Sequence, residues 1–393
     1  MVVGEALRAP QSWTGGTAEA YDRWAGYAVR ATAELDAALR RAEAEIARGG
    51  PGLAERLAAI ELPAAVPVRE APASAPEPAA WTRHRANRVR LAAQLRELRA
   101  IARPTAAQRR RLAMAETVAA RLAELDGAVD PITGARVPVQ LLTYEPEAFG
   151  GDGAVVVSIG DLAAADRVGV LVPGMGTTAA SLGAVGGGAA RLYAAARRAD
   201  PDGSVAAIAW IGYDAPSGRG AAAQVVTGHA ASRGAERLRA DLAEVSAMAP
   251  DDARTVVFGH SYGATTAATA GRHGALAGTV DAMVLFGAPG AGPVRSAAEL
   301  GLADGVYVAR DRDDPVPPGA FLGGLAGRAL GMVPGLMGLG LGVDPAAESF
   351  GATAIAADGP TGRLGAHSGY LDAASPALAE FGRILAGVRD DAR

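Results

Sequence analysis

The 393-residue chain contains no cysteine. That absence excludes disulfides, thiolate metal centres and a cysteine nucleophile, while leaving both oxidising and reducing compartments open. Lysine is missing as well, all 38 basic residues being arginine. A phosphate-cradling loop of the GxxxxGK[ST] type therefore has no source for its lysine, and nucleotide binding is rejected. Charge of neither sign prevails: 38 basic against 42 acidic residues leave a net −4, too weak a field to argue for nucleic acid or an acidic substrate. Aromatic residues are few, at 5%, and are not interleaved with the arginines as base-stacking surfaces require. No apolar run reaches the roughly twenty residues that span a bilayer. Only five histidines are available to serve as a catalytic base. The opening Met1-Val2-Val3-Gly4-Glu5-Ala6 has no basic stretch leading into an apolar one, so no cleavable secretory signal is expected.

What is present is a chain that is half apolar, long enough for a large α/β domain and a smaller helical region. Tyr21, Ala25, Ala28, Thr32, Leu35, Leu39, Ala42 and Ile46 recur at alternating spacings of four and three, which predicts a helix from about Thr17 to Arg48. Residues 62–79 are too proline-rich for helix or central strand and read as a linker. Two helical stretches follow, about Ala80 to Ala102 and Thr105 to Asp126, broken at Arg103-Pro104. This hairpin is rich in arginine. Such a face suits anionic lipid or an acidic partner, although solvated arginine is its usual state. The expected organisation is thus a helical segment over 1–61, the linker, the hairpin over 80–129, and an α/β domain over 130–393.

In that last region eight short β-prone runs alternate with alanine-rich helices: Val137–Tyr144, Ala154–Ile159, Val168–Val172, Val205–Trp210, Thr255–Phe258, Val280–Phe286, Val306–Ala309 and Thr353–Ala356. The pattern demands a mostly parallel sheet covered on both faces, with the first two runs forming an antiparallel edge. Thr255-Val256-Val257-Phe258-Gly259-His260-Ser261-Tyr262-Gly263 reads as a strand, a serine between glycines and a helix. Such a nucleophile elbow turns so sharply that its serine is strained and exposed, and it aims the N–H of Tyr262 at a developing oxyanion.

Serine is a weak nucleophile at its free pKa and needs a histidine oriented by a carboxylate. In the fold built around such an elbow the acid and the histidine follow the serine. His367, between the last strand and the last helix, is the expected base. His229 comes too early, His260 should point away from the serine side, and His84 and His273 lie elsewhere. The acid falls in Arg310-Asp311-Arg312-Asp313-Asp314-Pro315, where Asp314 is preferred and Asp311 is the alternative. The glycine-rich Val172-Pro173-Gly174-Met175-Gly176 turn supplies a second oxyanion donor, assigned to the Met175 N–H. Gly174, Gly176, Tyr213, Asp214 and His260 are expected around the substrate pocket, with loop anchoring as the other role open to Tyr213 and Asp214. Gly319 to Val343 is apolar and glycine-rich, either a cap favouring lipid-like acyl substrates or a buried excursion.

Together Val172 to Gly176, Trp210 to Pro216, Gly259 to Gly263 and His367 to Tyr370 form VPGMG, WxGYDxP, GHSYG and HSxY motifs. The segment from about Asp130 to Gly387 thereby resembles a bacterial α/β-hydrolase family of unknown substrate. Ser12-Trp13-Thr14-Gly15 is similar to the W-x-G turn of small helical proteins of type VII secretion, although a tryptophan anchoring a loop would look the same. The resemblance implies an α/β-hydrolase fold, a serine esterase with the Ser261, Asp314 and His367 triad, and a secretion-system partner for the N-terminal helices. No cofactor or metal is implied, and location is open between the cytoplasm and type VII-like export. Acyl transfer by the same triad, or a binding module with a vestigial one, are the competing functions.

Overall fold

Strand-forming runs rich in valine and isoleucine pair into one eight-stranded sheet. Its strands are β1 (Val139–Glu145), β2 (Ala154–Ile159), β3 (Arg167–Val172), β4 (Val205–Ile211), β5 (Arg254–His260), β6 (Ala282–Phe286), β7 (Val306–Ala309) and β8 (Thr353–Ile355). The spatial order is β1-β2-β4-β3-β5-β6-β7-β8. Strand β2 runs antiparallel to both β1 and β4, and the rest of the sheet is parallel. The computed structural model describes residues 44, 48, 78–217, 221, 225, 228–316, 341–359 and 365–388. The chain divides into two units, Met1–Glu77 and Pro78–Arg393, and the sheet belongs to the second. The Trp13 turn, the linker up to residue 77 and nearly all of the apolar 319–343 stretch lie outside the described residues, as does the N-terminal helix apart from residues 44 and 48.

Six helices of the second unit concern the site: α1 (Ala79–Arg99), α2 (Ala106–Leu125), α3 (Leu182–Ala199), α4 (His229–Met248), α5 (Tyr262–Gly271) and α6 (Pro376–Ala386). Because side chains alternate across a strand, each strand feeds two cores. Val170, Ile208, Val257 and Leu285 pack with Leu238 and Leu242 of α4 and Ala267 of α5. Leu171, Ala209, Phe258 and Val284 pack on the other face with Val118 and Leu122 of α2, Leu192 of α3 and Phe381 of α6. Among the described residues no helix is long and apolar enough to cross a membrane.

The α1–α2 hairpin, expected as a region apart, shares that second core and lies in the same unit as the sheet. Thr105 caps α2, its side chain accepting the Gln108 N–H while Gln108 reaches back to the Thr105 N–H. Helix α1 also protects the sheet edge. Strand β1 carries an irregularity between Leu141 and Thr143, and the backbone groups there meet side chains of α1. His84 Nδ1 accepts the Leu141 N–H at 3.0 Å, and Asn87 donates to the carbonyls of Leu141 and Leu142. A satisfied edge resists pairing with another chain. Several hairpin arginines are paired, Arg83 with Glu244, Arg88 with Asp126 and Arg99 with Glu116.

Asp130, where the β-rich region begins, is buried against Arg197 of α3 at 2.7 Å and accepts the Tyr193 hydroxyl at 2.7 Å. Arg197 and Tyr193, with two backbone N–H groups, hold the Asp130 carboxyl well below the usual carboxylate range against the upward push of burial. The cluster fastens the approach to β1 onto the end of α3.

The chain leaves β3 toward β4 on one side and β5 on the other. At such a switch the loops after neighbouring strands part, and ligands of open α/β sheets bind in the crevice outside the strands' carboxyl ends. The turns after β3 and β5 carry Gly174 and Ser261.

Candidate active site

Strand β5 ends at His260 and α5 begins at Tyr262, so Ser261 alone makes the turn. Its backbone stands at φ 54°, ψ −126°, a conformation that costs an L-residue on the order of 1–3 kcal/mol and persists only when the surroundings impose it. Its N–H donates to the Phe286 carbonyl at 2.9 Å, and its own carbonyl accepts the Ala264 N–H at 2.9 Å. Neighbouring glycines make room. A Cβ at position 259 would lie 2.6 Å from the Ala264 Cα, and one at 263 would lie 2.3 Å from the Val172 carbonyl oxygen. At 174 a Cβ would meet the Ser261 Cβ at 2.8 Å, so the loop after β3 presses directly on the serine.

Residues distant in the chain converge on that hydroxyl. His367 Nε2 lies 3.0 Å from Ser261 Oγ, and His367 Nδ1 lies 3.0 Å from each Asp314 carboxylate oxygen. A carboxylate only accepts, so Nδ1 carries the proton and Nε2 is left to accept from the serine. The imidazole borders solvent, with 27% of its side chain exposed, whereas the Asp314 side chain is 3% exposed. Burial pushes the Asp314 carboxyl up, but hydrogen bonds from His367, the Tyr370 hydroxyl and the Val316 N–H outweigh it and hold the group below its ordinary value.

Asp311, the alternative acid, does not reach the imidazole. Its carboxylate accepts the N–H groups of Asp313 and Gly359, both at 2.8 Å, and so shapes the loop that presents Asp314. Tyr370 is the residue that sequence reasoning left without a role. Its hydroxyl donates to Asp314 Oδ2 at 2.7 Å and accepts the Asp311 N–H at 3.0 Å. The available signal was its place three residues after His367. Gly287, also missed, follows β6 at φ 55°, and a Cβ there would crowd Asp314, Tyr370 and His367 at 3.1–3.2 Å.

The other expected positions divide. Met175 is 43% exposed in the turn above the serine, and Gly176 is tied by its N–H to the Pro216 carbonyl at 2.9 Å. The Tyr262 N–H opens α5, while its buried hydroxyl accepts the Ala231 N–H at 3.1 Å. Tyr213 takes the loop-anchoring role: it is buried, stacked on Trp210 and hydrogen-bonded to the Pro173 carbonyl at 2.8 Å, so it supports the loop after β3 from beneath. Asp214 lies at the rim, 3.8 Å from Arg233. Even-numbered β5 residues share the face of Phe258, which places the His260 ring against Phe286 and below the His367 backbone.

Residues 150–323 match a family model described as alpha/beta hydrolase. An uncharacterized protein of Mycobacterium tuberculosis is 35% identical over 271 residues, which cover 64% of this chain and 40% of that protein. An uncharacterized protein of Mycobacterium bovis is 33% identical over 157 residues, 38% of this chain and 56% of the other. The chain thus spans 40–56% of the length of the curated relatives it matches. Among solved structures, the esterase LipW from Mycobacterium marinum is 16% identical with a TM-score of 0.34, covering 76% of this chain and 90% of that one. The Pyrobaculum calidifontis esterase is 13% identical with a TM-score of 0.33, covering 75% and 96%. The matched region holds the elbow and the acid loop, and with the sheet order it gives the second unit an α/β-hydrolase fold.

Proposed function

We propose that the chain is a serine hydrolase that cleaves carboxylic esters through an acyl-enzyme on Ser261. The observation that carries this is the continuous hydrogen-bonded line from Ser261 Oγ through the imidazole of His367 to Asp314, on a serine whose backbone is held at φ 54°. His367 Nε2 takes the Ser261 proton as Oγ attacks the ester carbonyl carbon, and Asp314 holds the ring and stabilises the imidazolium that forms. The N–H groups of Tyr262 and Met175 serve the oxyanion, each such donor being worth about a hundred- to a thousand-fold in rate. The imidazolium then protonates the departing alcohol, and water activated by the same imidazole releases the acid.

A fluorophosphonate probe tests the reading, since only an activated serine reacts with it. The parent protein should be labelled and Ser261→Ala should not. A panel of p-nitrophenyl esters of increasing acyl length, with and without an added alcohol acceptor, then defines the acyl group and separates hydrolysis from transfer. Folded protein that neither reacts with the probe nor turns over any ester would instead be a binding module.

A further inference from the structure

A second imidazole stands beside the triad. His260 precedes the serine, and its ring stacks on Phe286 at 5.0 Å and lies 5.0 Å from the ring of His367. Its Nε2 is 2.7 Å from the backbone carbonyl oxygen of His367. A carbonyl can only accept, so Nε2 must carry the proton. We infer that His260 is a positioning residue: by donating Nε2–H to the His367 carbonyl it ties the loop of the base to the strand of the nucleophile and sets the height of the His367 imidazole over Ser261. The inference rests on the proposed roles of Ser261 and His367.

The choice of residue type supports it. The space between Phe286, Tyr370 and His367 is aromatic. A phenyl ring would leave the His367 carbonyl without this donor. A protonated imidazole would keep the donor but repel the imidazolium that His367 becomes. Burial first, and the neighbouring His367 second, push the His260 pKa down to about 4, so the ring stays neutral through the working range. The titratable groups around it are His367, Asp314 and Tyr370. The bond joins the residue before the nucleophile to the main chain of the base, and a displacement of about 1 Å between reacting groups costs roughly a hundredfold in rate.

The test uses the full-length chain and a p-nitrophenyl ester that the parent hydrolyses. His260→Phe fills the ring space without a donor, and His260→Gln returns an amide N–H at about the reach of Nε2. His260→Phe should lose roughly 30- to 100-fold in kcat with KM changed by less than about twofold, and His260→Gln should recover to within about fivefold of the parent. His260→Leu, close to glutamine in size but without a donor, should lose as much as His260→Phe, which separates the missing hydrogen bond from crowding by the larger phenyl ring. Nitrogen-15 spectra of the parent imidazoles add a reading that needs no variant to fold: His260, assigned in the parent through its contact with the Phe286 ring, should be the neutral Nε2–H tautomer. A folded His260→Phe with kcat within about threefold of the parent, a His260→Gln no better than it, or an Nδ1–H tautomer at His260 overturns the inference. A parent that neither hydrolyses esters nor labels at Ser261 overturns the proposed function itself and this inference with it.

Discussion

Replacing Tyr370 by phenylalanine removes one hydroxyl that serves two partners. It donates to Asp314 Oδ2 at 2.7 Å and accepts the Asp311 N–H at 3.0 Å. A hydrogen bond to a charged group is worth about 1.5–3 kcal/mol, and an orphaned buried N–H costs about 1–3 kcal/mol. Allowing for partial relaxation, the folded state should lose about 2–4 kcal/mol at neutral pH. For a folded unit of this size that lowers Tm by roughly 3–6 °C. The Asp314 part of the loss depends on pH. A carboxyl whose folded pKa is depressed contributes stability that is complete above its unfolded value and disappears as pH falls through the folded one. Tyr370 is among the groups that depress Asp314, so the gap between parent and variant should be widest above the ordinary carboxylate range and narrow as pH falls below it. The Asp311 part should persist at every pH at which the protein folds. With the orienting carboxylate freed on one side, kcat should fall about tenfold, near 1.4 kcal/mol of barrier. Thermal unfolding of both proteins across a pH series, with ester hydrolysis at neutral pH, measures all of this. A Tyr370→Phe protein matching the parent in Tm and in kcat, or a gap that widens toward acid, would refute the reasoning.

Gly263→Ala would place a Cβ 2.3 Å from the Val172 carbonyl oxygen and 2.5 Å from that of Pro173; overpacking against rigid backbone should cost about 1–3 kcal/mol or more, read as lower Tm together with lost fluorophosphonate labelling. Arg197→Met strands the buried Asp130 carboxylate and should destabilise by about 3–5 kcal/mol in a denaturant titration. A double change, Arg197→Met with Asp130→Asn, should recover part of that, because the neutral amide oxygen still accepts from the Ile132 and Thr133 N–H groups. Tyr213→Phe frees the Pro173 carbonyl beneath the Met175 turn and should cut kcat about tenfold while KM holds; an unchanged kcat would show that the loop needs no such support.

Much of the fold was legible because its signals are local. All eight observed strands begin within two residues of their sequence-based start and lie on the expected runs, since β-branched stretches between glycines and alanine-rich helices leave few alternatives. Helix α5 starts at Tyr262 as expected, because the glycines on either side of Ser261 admit one kind of turn. The choice between Asp314 and Asp311 was different. Both stand in one short polar loop, and only the direction in which that loop folds sends one carboxylate to the imidazole and the other to the N–H groups of Asp313 and Gly359. The roles of His260 and Tyr213 were likewise beyond the sequence: each sits inside a motif, yet the pleat turns the one toward the His367 loop and the loop after β4 turns the other inward beneath Pro173.

Composition and periodicity, which act through neighbours a few positions apart, determined the alternation of strand and helix, the elbow at Ser261 and the short roster of candidate bases. Tertiary structure decided what long stretches of intervening chain separate: His367 within 3.0 Å of Ser261, 106 positions earlier, Tyr370 on the acid 56 positions before it, and His260 beneath the base. Hydrogen bonds are directional over about 3 Å, whereas a hydrophobic pattern specifies only which face of an element is buried, and that face is shared by many residues that never touch the site.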